Sequence, residues 1–336
     1  MKDIVSKVIN GSHLTESQMI EAMETIMEGR ASDAIAAAFL TALRMKGETV
    51  EEITGGAKVM RAKAEKIDLG DIFTVDTCGT GGDGANTFNI STAVAFICAA
   101  AGLPVVKHGN RAVSSKSGSA DVLEALGVNI ALTPAQVEKC VREQNIGFLF
   151  APTFHKAMKH AIGVRKELGF RTIFNMLGPL TNPANARGQV LGVFNPDLTE
   201  FMAEVLKNLG VERALVVHGM DGLDEITVTD RTKVTELKDG KLNTYYIEPS
   251  DFGMELHPKK DIVGSDSLFN ADIIKSVFAG EKGAKREIVV INAGAALYVG
   301  KRAETIAEGI KIAEEIIDSG KALKKLEEFT VFTNSL

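Results

Sequence analysis

The sequence predicts an α/β protein with a small helical N-terminal domain and a larger α/β domain around a mostly parallel central sheet. Residues 1 to about 66 show only the helical spacing of apolar residues. From Ile72 onward, short β-branched runs alternate with helical stretches. Such alternation favours parallel strands that are covered by helices on both faces. Hydrophobic residues make up 45% and charged residues 24% of the chain, which allows a sizeable core.

Three helices with short links are predicted in the N-terminal region. Thr15 begins the first, where apolar residues recur at 3.6 spacing and Gln18 completes a capping box. Gly29 ends this helix, and Ser32 begins an Ala-rich second helix. The third runs from about 50 to 66. The absence of any strand between them indicates a separate helical unit.

The rest of the chain is predicted to supply the strands of the sheet and their crossover helices. Strands are expected at 73–76, 104–107, 146–150, 189–193, 213–218 and 286–292. Helices are expected at 89–101, 119–127, from Thr133-Pro134 onward, and at 198–209. Thr133 is followed by Pro at the first helical position, which is a common start for a helix.

Two later segments depart from the alternation of strand and helix. Residues 232–247 contain two alternating segments that meet at Asp239-Gly240, which predicts a hairpin. Residues 301–328 show the pattern of two charged amphipathic helices.

The stretch 154–186 contains no predicted strand and has a helical character. We therefore expect a helical domain over 1–70 that is completed by about 165–186. The α/β domain would then comprise 71–164 and 187–336.

Charge and cysteine content narrow the functional classes. The formal net charge of −6 is not typical of a protein that binds nucleic acid, because that class needs a positive field. The three cysteines form no CxxC pair, which favours a reducing compartment and hence the cytoplasm. The charged N-terminal segment lacks the apolar run of a signal peptide.

The most informative motif is VDTCGTGGDGANTFNIST at 75–92, where a predicted strand is followed by four closely spaced glycines and then a helix. Glycines let backbone N–H groups approach an anion, and the helix N-terminus adds a positive dipole. The motif matches neither GxxxxGK[ST] nor GxGxxG. It predicts a phosphate-binding loop, with an ordinary flexible turn as the alternative.

A second polar loop, KHGNRAVSSKSGSAD at 107–121, follows the next predicted strand. It carries the cations Lys107, Arg111 and Lys116 together with several serines. Ligands of open α/β sheets bind at the carboxyl ends of the strands, so both loops are expected to converge on one substrate with two anionic ends. The alternative is a solvated basic loop. His108 is a candidate acid or base, although a lone histidine is more often structural.

Asp224 and Glu225 form an acidic pair after a predicted strand and a glycine-containing turn. Mg²⁺ is commonly held by one or two carboxylates together with substrate phosphates. Taken alone, such a pair is usually a solvated turn. Beside a pyrophosphate loop it predicts a site for a divalent cation.

Together these motifs resemble the anthranilate phosphoribosyltransferase family. GTGGD, NxST, KHGNRAVSS, NMLGPLTNP and the Asp-Glu pair occur in the family's order over essentially the whole chain. The family belongs to the nucleoside-phosphorylase-like (class IV) phosphoribosyltransferases. The resemblance implies an enzyme of tryptophan biosynthesis, usually a homodimer, that transfers the phosphoribosyl group of phosphoribosyl pyrophosphate to anthranilate.

The resemblance also implies the site residues. Those expected to contact phosphoribosyl pyrophosphate are Gly79, Thr80, Gly82, Asp83, Thr87, Asn89, Ile90, Ser91, Thr92, Lys107, His108, Gly109, Asn110, Arg111, Ala112, Val113, Ser114, Ser115 and Ser119. Those expected at anthranilate are Gly79, Asn110 and Arg165. Ser91, Asp224 and Glu225 are expected to hold two Mg²⁺ ions.

The expected mechanism is a displacement at the anomeric carbon, with Lys107 and the metal ions stabilising the leaving pyrophosphate. No covalent nucleophile is expected, and nothing marks Cys78 as an activated thiolate. Arg165 is suited to an aromatic carboxylate, since guanidinium binds carboxylates bidentately. A solvated charged helix with Lys166 and Arg171 is the alternative for that segment.

Two other functions remain open at this point. A pyrimidine nucleoside phosphorylase shares the fold and uses free phosphate, but its family has a different glycine loop. A catalytically silent relative that binds nucleic acid would be expected to have a basic surface and to lack the acidic pair.

Overall fold

Four helices form the N-terminal region of the structure, a computed structural model that describes residues 1–112 and 116–336. They are α1 (Lys2–Ile9), α2 (Glu16–Met27), α3 (Asp33–Lys46) and α4 (Val50–Lys63). The three predicted helices are confirmed, and α1 is an addition. Thr15 and Gln18 form the expected reciprocal capping box, and the Ser32 hydroxyl accepts from the Ile35 N–H.

In the described ranges, seven strands form one sheet in the order β3-β2-β1-β4-β5-β6-β7. Their bounds are β1 (Val75–Gly79), β2 (Val105–Gly109), β3 (Ile146–Phe150), β4 (Gly188–Gly192), β5 (Arg213–Gly219), β6 (Thr232–Lys238) and β7 (Lys241–Ile247). The pairs among β1 to β5 are parallel, whereas β6 and β7 are antiparallel. The mostly parallel sheet is therefore confirmed, with the ends of β1 to β5 within three residues of the prediction.

The hairpin between β6 and β7 turns at Asp239-Gly240, as predicted. Both residues have positive φ, 51° and 72°. These angles are those of a type I′ turn, whose twist matches that of the flanking strands.

Eleven further α-helices lie among the described residues of the remaining chain. They are α5 (Ile90–Ala100), α6 (Ser119–Ala125), α7 (Pro134–Gln144), α8 (Ala151–Phe154), α9 (Lys159–Leu168), α10 (Ile173–Leu177), α11 (Leu198–Asn208), α12 (Ser267–Phe278), α13 (Ala284–Val299), α14 (Ile306–Asp318) and α15 (Lys321–Asn334). The two amphipathic helices expected near the C-terminus are α14 and α15. None of the helices in the described ranges has the length and hydropathy needed to cross a membrane.

The strand predicted at 286–292 is wrong, because these residues belong to α13. The segment is apolar on all sides, and an apolar run by itself does not distinguish a buried strand from a buried helix. α13 is almost entirely buried from Ala284 to Val299. The Asn292 side chain donates to the carbonyls of Ile288 and Ile226 (both 2.8 Å), which satisfies its amide inside the core.

The sheet is covered on both faces, since neighbouring residues of one strand belong to different cores. On β5, Leu215 and Val217 pack with the cluster around α5 and α13. Ala214 and Val216 pack with the cluster that contains α11 and the N-terminal helices. The helical region is thus joined to one face of the sheet through shared apolar contacts.

The segment expected to complete the helical domain contains α9 and α10. α9 packs on α2 and α3, and α10 packs on α3 and α4. This packing supports the proposed domain division at 1–70 and about 165–186, which otherwise stays a prediction.

Candidate active site

The two polar loops leave the same edge of the sheet, because β1 and β2 are parallel neighbours. They meet at Asn89 and Ser117. The Asn89 amide donates to the Ser117 carbonyl (3.2 Å), and the Ser117 hydroxyl donates to Asn89 Oδ1 (3.1 Å). The structure thus brings the loops together as the strand order implied.

The glycine-rich loop connects β1 with α5 and takes a conformation that few other residues adopt. Gly81, Gly82 and Gly84 have φ of 64°, 76° and 71°, in the left-handed region. Thr80 anchors the start of the loop, since its N–H donates to the Gly192 carbonyl (2.9 Å). Its hydroxyl accepts from the Phe194 N–H (3.2 Å).

The acidic pair lies directly against this loop. Asp224 Oδ2 accepts from the Gly81 N–H at 2.7 Å, across 143 residues of sequence. A side chain at Gly79 would overlap the Asp224 carboxylate, and one at Gly192 would overlap its backbone carbonyl. Glycine at the ends of β1 and β4 therefore lets the acidic pair approach the sheet edge.

Both carboxyl groups of the pair have raised pKa values. Desolvation by burial is the main cause for Asp224, and the nearby charge of Asp83 adds to it. Desolvation also raises the pKa of Glu225, together with the charge of Asp224, while a hydrogen bond with Ser91 lowers it. Three carboxylates therefore crowd beside the glycine loop, an arrangement that a positive ion would stabilise.

The chemistry of these donors fits a hard cation such as Mg²⁺. Asp224, Glu225 and Ser91 offer only oxygen ligands, which Mg²⁺ prefers. Within the described parts of the chain, no three His, Cys, Asp or Glu side chains are arranged to hold an ion by themselves. Water and substrate phosphates would have to supply the remaining ligands, as they usually do for Mg²⁺.

Beneath the loops lies a buried polar network that sequence reasoning missed. Lys107 is buried and its ammonium donates to the Thr77 carbonyl (2.5 Å). Asp76 accepts from Asn182 (2.8 Å) and from the His108 N–H (3.2 Å). Burial raises the pKa of Asp76, and the charge of Lys107 opposes that shift. Asp76 within an otherwise apolar strand was the sequence signal for this network, because a buried carboxylate needs partners.

The helix N-terminus behind the glycine loop holds three further predicted residues. Ile90 and Thr92 are buried in the first turn of α5. The Ser91 carbonyl accepts from the Thr77 hydroxyl (3.0 Å), which ties that turn to β1. Thr87 forms an isolated bridge with Val263 before the helix begins.

In the basic loop, Arg111 is bound by carboxylates of α6. Its guanidinium donates to both oxygens of Glu124, at 2.5 and 2.8 Å, and to Asp121 at 3.2 Å. Asp121 Oδ2 also accepts from the backbone N–H groups of Ala112 and Gly118, both at 2.9 Å. The Arg111 side chain thus faces α6.

Other residues of the basic loop contact each other where the loop leaves β2. The Asn110 carbonyl accepts from the Ser119 hydroxyl (3.4 Å), and a side chain at Gly109 would overlap Ser119. The predicted residues Val113, Ser114 and Ser115 lie outside the described residues.

Arg165 packs its guanidinium over the ring of Phe174, 5.2 Å from the centroid. Burial lowers its pKa. Within the described part of the chain, the structure does not bring Arg165 into hydrogen-bonding contact with the two polar loops.

His108 and His155 lie together, with ring centroids 5.0 Å apart. The Nε2 atom of each is buried and has no hydrogen-bond partner among the described residues. Desolvation lowers the pKa of His108 to about 3, with His155 contributing, and lowers that of His155 to about 4. Both imidazoles are neutral near pH 7, which does not favour His108 as an acid or base at that pH.

Cys78, in β1, has a thiol that is protonated at physiological pH. Desolvation raises its pKa well above the ordinary value, and the charge of Asp76 adds to the shift. The thiol accepts from the Gln189 amide at 3.2 Å. These observations support the expectation that it is not a nucleophile.

Comparisons with known proteins agree along the whole chain. The model of a glycosyl transferase family helical bundle domain matches residues 2–64, and that family's a/b domain matches 72–323. An anthranilate phosphoribosyltransferase of Acetivibrio thermocellus is 63% identical over 335 residues, covering 100% of this chain and 97% of that protein.

Solved structures of the same kind are also similar. The anthranilate phosphoribosyltransferase of Thermus thermophilus superposes with a TM-score of 0.94 at 41% identity, covering 99% of each chain. The Saccharomyces cerevisiae enzyme, determined in complex with PRPP and Mg, superposes with a TM-score of 0.91 at 30% identity, covering 99% of this chain and 98% of that one.

Proposed function

The chain belongs to the anthranilate phosphoribosyltransferase family, and from that premise we propose that it transfers the 5-phosphoribosyl group of phosphoribosyl pyrophosphate to the amine of anthranilate. The products are N-(5-phosphoribosyl)anthranilate and pyrophosphate. The observation that carries the proposal is the contact between the Asp224 carboxylate and the Gly81 N–H, which joins the acidic pair to the phosphate-type loop.

The glycine-rich loop is the proposed diphosphate site. Its left-handed glycines and the N-terminus of α5 present backbone N–H groups to an anion. The basic loop, linked to it through Asn89 and Ser117, would take the ribose 5-phosphate. The Arg111 side chain can contribute only by leaving Glu124, so we assign the loop's backbone the larger share.

Asp224, Glu225 and Ser91 would hold magnesium, and a count of two ions is part of the proposal. When bound, the metal neutralises charge on the diphosphate. The crowding of Asp83, Asp224 and Glu225 supports this assignment, because burial without a counter-charge raises the pKa values of the acidic pair. The charge of buried Lys107 lowers the pKa of Glu225 and thus acts on the same site.

The chemical step is a displacement at the anomeric carbon. The bond from carbon to the pyrophosphate oxygen breaks while a bond to the amine nitrogen of anthranilate forms. Arg165 and Asn110 are the proposed acceptor ligands, with the guanidinium directed at the carboxylate of the acceptor. Positioning and electrostatic stabilisation supply the catalysis, and no covalent intermediate on the protein is needed.

We extend the proposal to assembly and location. A homodimer through the N-terminal helices would cover exposed apolar side chains of α1 and α3. The described structure has three free cysteines, which supports the cytoplasm as the working compartment.

The decisive experiment follows anthranilate fluorescence in the presence of phosphoribosyl pyrophosphate and Mg²⁺. Wild type should consume anthranilate, and a chelator should stop the reaction. The isosteric double variant Asp224→Asn/Glu225→Gln should lose about 100-fold or more in kcat/KM. Asp230→Asn removes an exposed carboxylate of the same segment and should stay within about twofold of wild type.

The two other functions are tested in parallel. Uridine or thymidine with free phosphate should give no phosphorolysis, and DNA should give no gel shift at physiological salt. Either activity in place of anthranilate consumption would overturn the proposal.

A further inference from the structure

Arg171, in the segment between α9 and α10, contacts the glycine-rich loop. It lies between α9 and α10, the helices that pack on the N-terminal bundle. Its Nη1 donates to the Gly81 carbonyl at 3.2 Å. The side chain therefore connects the helical region with the proposed diphosphate site.

The Gly81 residue is consequently held on both sides. Its N–H donates to Asp224 (2.7 Å) and its carbonyl accepts from Arg171. Because each peptide unit is planar, fixing the two units that flank Gly81 leaves them little rotational freedom. The two contacts together set the direction of the loop's N–H groups.

Phe194 contacts both Arg171 and the start of the loop. The Arg171 guanidinium lies over its ring, 4.1 Å from the centroid, in cation–π geometry. The Phe194 backbone N–H donates to the Thr80 hydroxyl. Arg171, Phe194, Thr80 and Gly81 thus form one contiguous unit around the start of the loop.

The loop sequence leaves room for this guanidinium. A Cβ atom at Gly82 would overlap Arg171 Nη1. Arg171 Nη2 is buried and has no hydrogen-bond partner among the described residues. A role in folding alone does not explain this placement, because burying an unpaired guanidinium N–H costs free energy.

We propose that Arg171 is a positioning residue for the diphosphate. By donating to the Gly81 carbonyl from the segment between α9 and α10, it holds the glycine-rich loop in its anion-binding form. The inference rests on the proposed function, and it deepens that function by assigning the loop a support in the helical region.

The test measures KM for each substrate separately. Arg171→Ala should raise KM for phosphoribosyl pyrophosphate about tenfold or more, with a smaller change in KM for anthranilate. Arg171→Lys should recover part of the loss, since an ammonium still donates to Gly81 and lies over Phe194. Lys166→Ala removes an exposed cation of the neighbouring helix and should leave both constants unchanged.

Two further measurements separate positioning from folding. Melting temperature without ligand should change little in Arg171→Ala, whereas the rise caused by phosphoribosyl pyrophosphate with Mg²⁺ should shrink. Phe194→Leu should also raise KM for phosphoribosyl pyrophosphate. In the double variant Arg171→Ala/Phe194→Leu, the increase in this KM should exceed that of either single variant but should be smaller than the product of the two single increases.

The outcomes distinguish failure of the positioning role of Arg171 from failure of the proposed transferase activity. If wild type neither binds phosphoribosyl pyrophosphate nor turns over, the proposed function fails. If wild type is active and Arg171→Ala has an unchanged KM for that substrate, the positioning role fails. A loss of melting temperature in the free protein with equal effects on both KM values also overturns it.

Discussion

At the scale of single residues, burial decides the ionisation of the groups around the site. His108 and His155 are neutral because each imidazole is removed from water, and Nε2 of each is unpaired among the described residues. The Asp76 carboxyl lies in a buried strand, where Asn182 donates a hydrogen bond to it and the charge of Lys107 opposes the rise in its pKa. Such groups tie the stability of the fold to pH.

His108 is expected to make the stability of the fold depend on pH. Below about pH 6.5 the unfolded chain takes up a proton that native His108 does not bind until about pH 3. The unfolded state therefore holds more protons in this window, so stability falls as the pH is lowered. Between pH 7 and pH 5, we expect the free energy of unfolding of His108→Asn to fall by about 2 kcal/mol less than that of wild type.

Urea unfolding at a series of pH values measures the difference. His160→Asn, which removes an exposed imidazole, should keep the wild-type dependence. Equal pH dependence in wild type and His108→Asn would show that His108 does not resist protonation.

At the scale of elements, the site lies where two neighbouring strands end in glycine. Gly79 ends β1 and Gly192 ends β4, and these two strands are paired in register. The turn carrying Asp224 rests against both glycines. The glycine ends of β1 and β4 thus let the acidic pair take its position, which a single added methyl group should disturb.

Gly192→Ala should destabilise the protein by about 1–3 kcal/mol and reduce activity, because the new Cβ overlaps the Asp224 carbonyl. Gly163→Ala is the matched control, since a Cβ at that position in α9 would meet no atom within 4 Å apart from its chain neighbours and the helix's own backbone. It should be neutral or stabilise by about 0.5–1 kcal/mol. Equal melting temperatures for the two variants would contradict the packing argument.

At the scale of the whole molecule, the helical region exposes two large apolar side chains. Ile9 of α1 is 64% exposed and Met45 of α3 is 83% exposed, and the two helices pack together. A homodimer through these helices would remove both side chains from water.

Light scattering on the purified protein should give the mass of two chains. Met45→Glu should shift it toward one chain, because a carboxylate would be buried at the interface without a partner. Val331→Glu, at a position 72% exposed on α15, should leave the mass unchanged. A wild-type protein with the mass of one chain would end the dimer proposal.

The glycine loop, the basic loop and the acidic pair were predictable because each is a local pattern with its own chemistry. Capping residues such as Thr15 and the turn at Asp239-Gly240 also act within a few residues, and the structure contains them as predicted. The segment 286–292 was assigned incorrectly because a buried helix and a buried strand share the same apolar composition.

The sequence by itself determined the fold class and predicted an anionic ligand, since hydrophobic period, glycine spacing and charge are properties of short stretches. Only the tertiary structure decided which distant groups meet: Asp224 with Gly81, Asn182 with Asp76, and Arg171 with the glycine loop. The physical reason is that these contacts join residues 90 to 143 positions apart, whose proximity depends on strand order and helix packing.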